Sequence, residues 1–238
     1  MLGIIVAMDT ELSKEFKTNR DCFIHMSDNR KFYIYENKHQ SVVLCFSGIG
    51  KVNAASATAY LIKTFNITHI INIGTVGTHI PNINIFDILL INKCYYLDVD
   101  VTSFNYELGQ VPKEKPFFGL SNSLNQNLID LFNEHGVFYK LKNLGTSDSF
   151  IDRNNYLKFK NKNFELVSCF DMELTAIAQV CSKSNVKLSG IKIVSDNLNN
   201  MKISSEQFDS ALVKISSKLT EILFLILDTN ILSTNKES

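Results

Sequence analysis

The 238-residue sequence has no tryptophan and only three arginines, Arg20, Arg30 and Arg153. Lysine, asparagine, isoleucine and phenylalanine are abundant instead. A lysine where arginine might stand therefore says little by itself. There is no excess of charge: 24 basic side chains balance 24 acidic ones. Such a chain has no electrostatic footprint for a polyanion, which argues against a nucleic-acid partner. No C-x-x-C pair occurs. Cys22, Cys45, Cys94, Cys169 and Cys181 are scattered, mostly inside apolar runs. That is the pattern of free buried thiols in a reducing compartment, not of disulfides or zinc. His25, His39, His69, His79 and His135 show no metal spacing. The phosphate-binding spacing G-x-x-x-x-G-K-[ST] and the dinucleotide fingerprint are both missing. No cofactor or metal is expected. The longest apolar stretch of the C-terminal helix, residues 222–227, is far too short to span a bilayer. The N-terminus lacks the basic and apolar regions of a secretion signal. The expectation is a cytoplasmic protein with no membrane partner.

What is present reads as one α/β domain over residues 1–228, with a polar, frayed tail at 229–238. Strand patterns fall at residues 2–7, 31–36, 41–46, 69–74, 87–95, 140–146, 165–170 and 187–195. Helical patterns fall at 51–65, 122–135, 173–184 and 205–227. Asn37-Lys38 suggests a hairpin turn. Continuous apolar strands alternating with helices predict a mixed sheet buried on both faces. The stretch 98–118 is long, irregular and rich in aromatics, as a functional or interface loop would be.

Two features stand out for chemistry. The run Ile191-Lys192-Ile193-Val194-Ser195-Asp196 carries a carboxyl group out of a buried strand. The first strand delivers a second carboxylate, Glu11, just beyond its end. Strand ends are where α/β proteins bind ligands, and two carboxyls there suit an acid and a base. Each also has a plain reading: Glu11 as a solvated first-turn residue, Asp196 as a cap. Ser47-Gly48-Ile49-Gly50-Lys51 follows a strand and opens a helix, so its amides suit an anion or polar ligand, although a simple tight turn explains it as well. Gly74-Thr75-Val76-Gly77-Thr78 ends another strand, and a turn is expected there too. Asp171-Met172-Glu173 opens a helix, where acidic residues also occur merely as caps.

Taken together, in order and spacing, these motifs with Asp98-Val99-Asp100-Val101-Thr102 and Phe150-Ile151 resemble the 5′-methylthioadenosine/S-adenosylhomocysteine nucleosidases of the nucleoside phosphorylase superfamily. The resemblance covers residues 2 to about 226. It implies a three-layer α/β/α sandwich around a mixed β-sheet, a homodimer, and hydrolysis of an N-glycosidic bond. By that resemblance Asp196 protonates adenine N7, Ser195 holds Asp196, and Glu11 is the base for water. Glu173 and Met172 bind the ribose, Phe150 stacks on adenine, and the backbone of Ile151 reads its edge. Met8, Ile49, Thr75 and Gly77 line the pocket, and Lys192 is placed among the substrate-binding residues. Val101, Phe104, Tyr106 and Pro112 reach the partner subunit's alkylthio pocket.

The sequence departs from the family at several points. Lys192 stands for a usual Arg and Asp171 for a usual Glu. Val76 and Thr78 are bulkier than usual and narrow the expected pocket. Ser205 and Glu206 stand where an aromatic lid residue is usual. A phosphorolytic relative and a nucleoside-binding protein with weakened catalysis are the alternatives.

Overall fold

The computed structural model describes residues 1–17, 22–27, 30–36, 40–160, 162–199 and 205–232. Its strands are β1 (Leu2–Val6), β2 (Phe23–Ser27), β3 (Arg30–Glu36), β4 (Ser41–Phe46), β5 (His69–Thr78), β6 (Ile88–Tyr96), β7 (Phe118–Gly119), β8 (Tyr139–Thr146), β9 (Cys169–Asp171) and β10 (Lys187–Asn197). All ten belong to one sheet. Pairing is parallel for β1 with β4 and β5, β5 with β10, and β8 with β6 and β9. It is antiparallel elsewhere. Because β10 pairs with both β5 and β6, the strands β5, β10, β6, β8 and β9 close into a ring. The strands β1, β4, β3 and β2 extend from β5 as an open arm.

Two helix layers cover the sheet. Alternate residues of a strand point to opposite faces. Thus Leu2, Ile4 and Val6 join α2 (Asn122–Glu134) and α6 (Ser205–Asp228) in one core. Ile5 faces the other core, with α1 (Lys51–Phe65) and α5 (Leu174–Ser184). The small side chains Ala54 and Ala57 are buried and let α1 lie close against the sheet. The architecture is the expected three-layer α/β/α sandwich around a mixed sheet.

Several local expectations change. The edge strand β2 was not anticipated, because Phe23, Ile24 and Met26 are all exposed and give no in–out alternation. The strand expected at 165–170 is shifted: Glu165 and Leu166 end a short helix, α4 (Lys162–Leu166), which follows α3 (Tyr156–Phe159). Only Cys169–Asp171 is strand, at the length allowed by its pairing with Leu144–Thr146 of β8. The segment Gly74–Thr78 is not a turn but the last half of β5, paired with β10. The turn expected at Asn37-Lys38 lies outside the described residues; β3 and β4 on either side are antiparallel. Past α6 the chain is held down through residue 232, not frayed. Ile231 is buried, and its carbonyl accepts a bond from Asn127 Nδ2 at 2.8 Å. None of the described helices is long and apolar enough to cross a membrane.

Candidate active site

The site forms at the C-terminal ends of β1, β4, β5 and β10. After β1 the chain makes one 3₁₀ turn, Asp9–Glu11. The Glu11 carboxylate reaches back to accept the Met8 N–H (3.1 Å) and across to accept the N–H and hydroxyl of Thr75 (2.8 and 2.9 Å). These three bonds turn Glu11 inward, and it is only 6% exposed. It is not a solvated first-turn residue. Gly74 serves this approach: a Cβ there would lie 3.0 Å from Glu11 Oε1.

Asp196 lies within β10, at an irregularity in the pairing where the register to β5 shifts between Val194 and Asp196. A bulge of this kind re-aims a side chain. Here it directs the carboxyl at Gly77, where a Cβ would come within 2.8 Å of Asp196 Oδ2. Ser195 Oγ donates to Asp196 Oδ1 at 2.8 Å. Burial raises the Asp196 pKa above the ordinary carboxylate range, and the Ser195 hydrogen bond opposes that shift. A carboxyl that holds its proton longer is suited to act as an acid.

Glu173 is the N-cap residue of α5, yet it does not cap the helix with its side chain. Asp171 does that work: its Oδ1 accepts from the N–H groups of Glu173 (3.2 Å) and Leu174 (3.3 Å) and from Thr146 Oγ1 (2.7 Å). Glu173 is thereby freed to turn the other way, where its Oε1 accepts the Gly50 N–H at 2.9 Å. Burial raises its pKa to about 7; Asp171 adds to the shift, while Lys192 and the Gly50 amide oppose it. Two of the amides at the start of α1, where the Gly-rich turn suggested an anion or polar ligand, are thus taken by the protein's own carboxylates. Gly50 serves Glu173, and the Lys51 N–H serves Asp148 Oδ1 at 2.8 Å. The helix dipole favours both carboxylates there.

These groups enclose a cavity of about 240 Å³. Met8, Glu11, Ile49, Thr75, Gly77, Phe150, Ile151, Met172, Glu173, Ser195 and Asp196 all line it. A wider hollow of about 580 Å³ adjoins it, sharing Glu11, Thr75, Phe150 and Asp196, and is roofed by Leu212, Val213 and Ser216 of α6.

Lys192 is not brought to the cavity. It is 1% exposed and lies beneath it, bonded to Asp171 Oδ2 at 2.8 Å. Burial pulls its pKa down, but the carboxylates of Asp171, Glu173 and Glu11 outweigh this and hold it above its usual value. A cation surrounded by three acids in an apolar layer stays with them. Thr78 is turned away as well, its hydroxyl bonded to the Ser168 carbonyl, so of the two bulkier residues only Val76 borders the cavity. The side chains of Ser205 and Glu206 lie outside the described ones. Val101, Phe104, Tyr106 and Pro112 do not line this chain's own cavity, and Phe104 is 76% exposed. Sequence reading missed Phe170, Ser149 and the α6 roof. Phe170 reads as an ordinary core residue, and the roof comes from a helix distant in sequence.

A model of the phosphorylase superfamily matches residues 1–228. A curated 5′-methylthioadenosine/S-adenosylhomocysteine nucleosidase of Staphylococcus haemolyticus is 34% identical over 232 residues, covering 95% of this chain and all of that protein. The chain belongs to this nucleosidase family. Among solved structures, the family member from Streptococcus pneumoniae, bound to the transition-state inhibitor MT-ImmA, aligns with a TM-score of 0.84. It is 26% identical and the match covers 98% of this chain and 99% of that one. The Campylobacter jejuni nucleosidase shares the fold with a TM-score of 0.85, at 24% identity and with 95% and 97% of the two chains covered. In this nucleosidase, then, the strand ends and Gly-rich segments that carry the family's sequence motifs converge on one hollow.

Proposed function

We propose that the protein hydrolyses the N-glycosidic bond of 5′-methylthioadenosine and S-adenosylhomocysteine, releasing adenine and the thioribose. The observation that carries this reading is the convergence of Asp196, Glu11 and Glu173 on one cavity of nucleoside size. Adenine leaves poorly until its ring is protonated. Asp196 gives its proton to N7, and the bond from C1′ to N9 breaks with its electron pair moving onto the base. The sugar becomes oxocarbenium-like. Water adds at C1′ while Glu11 takes its proton, and solvent exchange resets both carboxyls. Acid and base help of this kind contributes roughly 10²–10⁴-fold per group. Glu173 accepts hydrogen bonds from the ribose hydroxyls, beside Met172. Phe150 stacks on the adenine and the Ile151 backbone reads its edge. The adjoining hollow leaves room for a longer 5′ substituent.

Water is favoured over phosphate as the acceptor. The described lining holds four acidic side chains, Glu11, Asp171, Glu173 and Asp196, and no lysine or arginine. An anion placed there would meet no cation among the described lining residues, where phosphate sites gather them. The catalytic unit is residues 1–228, acting as a homodimer in which the loop carrying Val101, Phe104, Tyr106 and Pro112 reaches the neighbour's site. The exposed Phe104 supports that role. Four buried free thiols, Cys45, Cys94, Cys169 and Cys181, suit the cytoplasm.

The test is to incubate the purified protein with methylthioadenosine, with and without phosphate. Free adenine and free methylthioribose are expected at a rate independent of phosphate. A phosphorylated sugar as product, or binding without adenine release, defeats the proposal. Sedimentation should give twice the 27.0 kDa chain mass.

A further inference from the structure

Outside the cavity, one charged cluster joins the start of α1 to two segments that are themselves neighbours, the end of β6 and the turn after β8. Lys51, at the start of α1, sends its ammonium to both oxygens of Asp98 (2.9 and 2.8 Å) and to within 3.6 Å of Asp148 Oδ2. Its backbone N–H donates to Asp148 Oδ1, while the Asp148 N–H donates to Asp98 Oδ2 at 2.9 Å. The ammonium also lies 5.4 Å from the ring centre of Tyr96, whose hydroxyl donates to Gln179 of α5 at 2.6 Å. Gly50 completes the fit, with φ of +96° and space for a Cβ only 3.2 Å from Asp148 Oδ1.

Each segment has a different duty. Asp98 roots the irregular loop that carries Val101 and Phe104. Asp148 begins the turn whose next three residues, Ser149, Phe150 and Ile151, wall the cavity. Lys51 follows Gly50, whose amide holds Glu173. Phe150 is 67% exposed, so packing does not set its position; its backbone anchors do. Those anchors are this cluster, the Ser149 N–H donating to Ser147 Oγ at 3.0 Å, the bond from Asn155 Nδ2 to the Phe150 carbonyl, and the buried Ile151 that follows.

We propose that Lys51 is a positioning residue, and that its bridge between Asp98 and Asp148 fixes the Phe150–Ile151 wall against the root of the interface loop. This rests on the nucleosidase reading for its substrate. The lysine touches no reacting atom, so its loss weakens substrate binding and leaves chemistry largely intact. The experiment compares wild type with Lys51→Met, Lys51→Arg, Asp98→Asn and the Lys51→Met/Asp98→Asn pair, each checked for folding by urea denaturation. Expected is a rise in KM for methylthioadenosine of about tenfold in Lys51→Met, with kcat changed less than about threefold. Lys51→Arg should recover most of the loss, and the pair should be no worse than Lys51→Met alone. A Lys51→Met KM within twofold of wild type, a loss confined to kcat, or additive losses in the pair would overturn the proposal. If Lys51→Met does not fold, Asp98→Asn carries the same expectation and the same refutation. Should wild type release no adenine, the nucleosidase reading falls, and the dissociation constant of methylthioadenosine across these variants still decides the role of Lys51.

Discussion

The floor and the rim of the cavity are built on opposite principles. The floor is made of ionisable groups that are nearly all buried, each held by at least one hydrogen bond. Glu11 accepts three bonds, Asp171 is shared among a lysine, a threonine and two helix amides, and Asp196 is aimed by a strand irregularity. The rim is apolar and open: Phe150, Ile49 and Val213 are exposed. Charges buried without partners cost several kcal/mol, so a floor of carboxylates exists only where the backbone and one cation satisfy it. The rim carries no such obligation. Its apolar side chains are left open to a ligand. Chemistry is therefore written into the buried floor, and apolar contact into the exposed rim.

Changes in the floor should hurt most. Asp196→Asn should cut turnover by about 10²–10⁴-fold while methylthioadenosine still binds, measured as adenine release against calorimetric binding. Near wild-type turnover would remove Asp196 from the mechanism. Lys192→Met leaves Asp171 buried beside two other acids with no cation. It should cost about 3–5 kcal/mol of unfolding free energy, read from urea denaturation, with no need for substrate. A rim change should behave otherwise. Phe150→Ala should weaken nucleoside binding by about 1–3 kcal/mol, with unchanged stability in the same denaturation assay. If Phe150→Ala destabilised the fold as much as Lys192→Met, the contrast between floor and rim would be lost.

Smaller effects sharpen the picture through pH. Glu173 has a folded pKa of about 7, raised by burial above its unfolded value. Between about pH 4.5 and 7 the native state holds more protons than the unfolded chain, so stability falls as pH rises through that window. Glu173→Gln should flatten that part of the stability profile. The smallest effect concerns Ser195. Its hydrogen bond favours ionised Asp196, so Ser195→Ala should move the alkaline limb of kcat/KM to higher pH. A limb that moved down, or stayed, would mean that another group sets it.

Most of the layered architecture was legible from the alternation of apolar strands with amphipathic helices, because burial on one face or two leaves a periodic mark. Where β5 and β10 stop was not legible. Gly74 and Gly77 look like turn residues, yet they continue a strand paired with β10, and glycine stands there because Glu11, Asp196 and the Phe170 ring fill the space a side chain would need. The edge strand β2 left no alternating mark. The resemblance puts Lys192 among the substrate-binding residues, while the fold sets it beneath the cavity against Asp171, a pairing that a strand pattern does not reveal. Likewise Asp171-Met172-Glu173 reads as a run of helix-start acids, and only the fold assigns capping to one carboxylate and the cavity to the other.

By itself the sequence determined which chemistry was available: carboxyls at strand ends, glycines beside them, small residues along α1, and an aromatic loop at 98–118. Those are properties of residue type and local spacing, which short-range sterics and burial fix. The tertiary structure alone decided that Glu11 and Asp196, 185 positions apart in the chain, face one hollow, that Lys192 stays beneath it, and that α6 roofs it. Such choices depend on strand order and register, and those are set by the packing of two cores across a sheet, not by any neighbour in sequence.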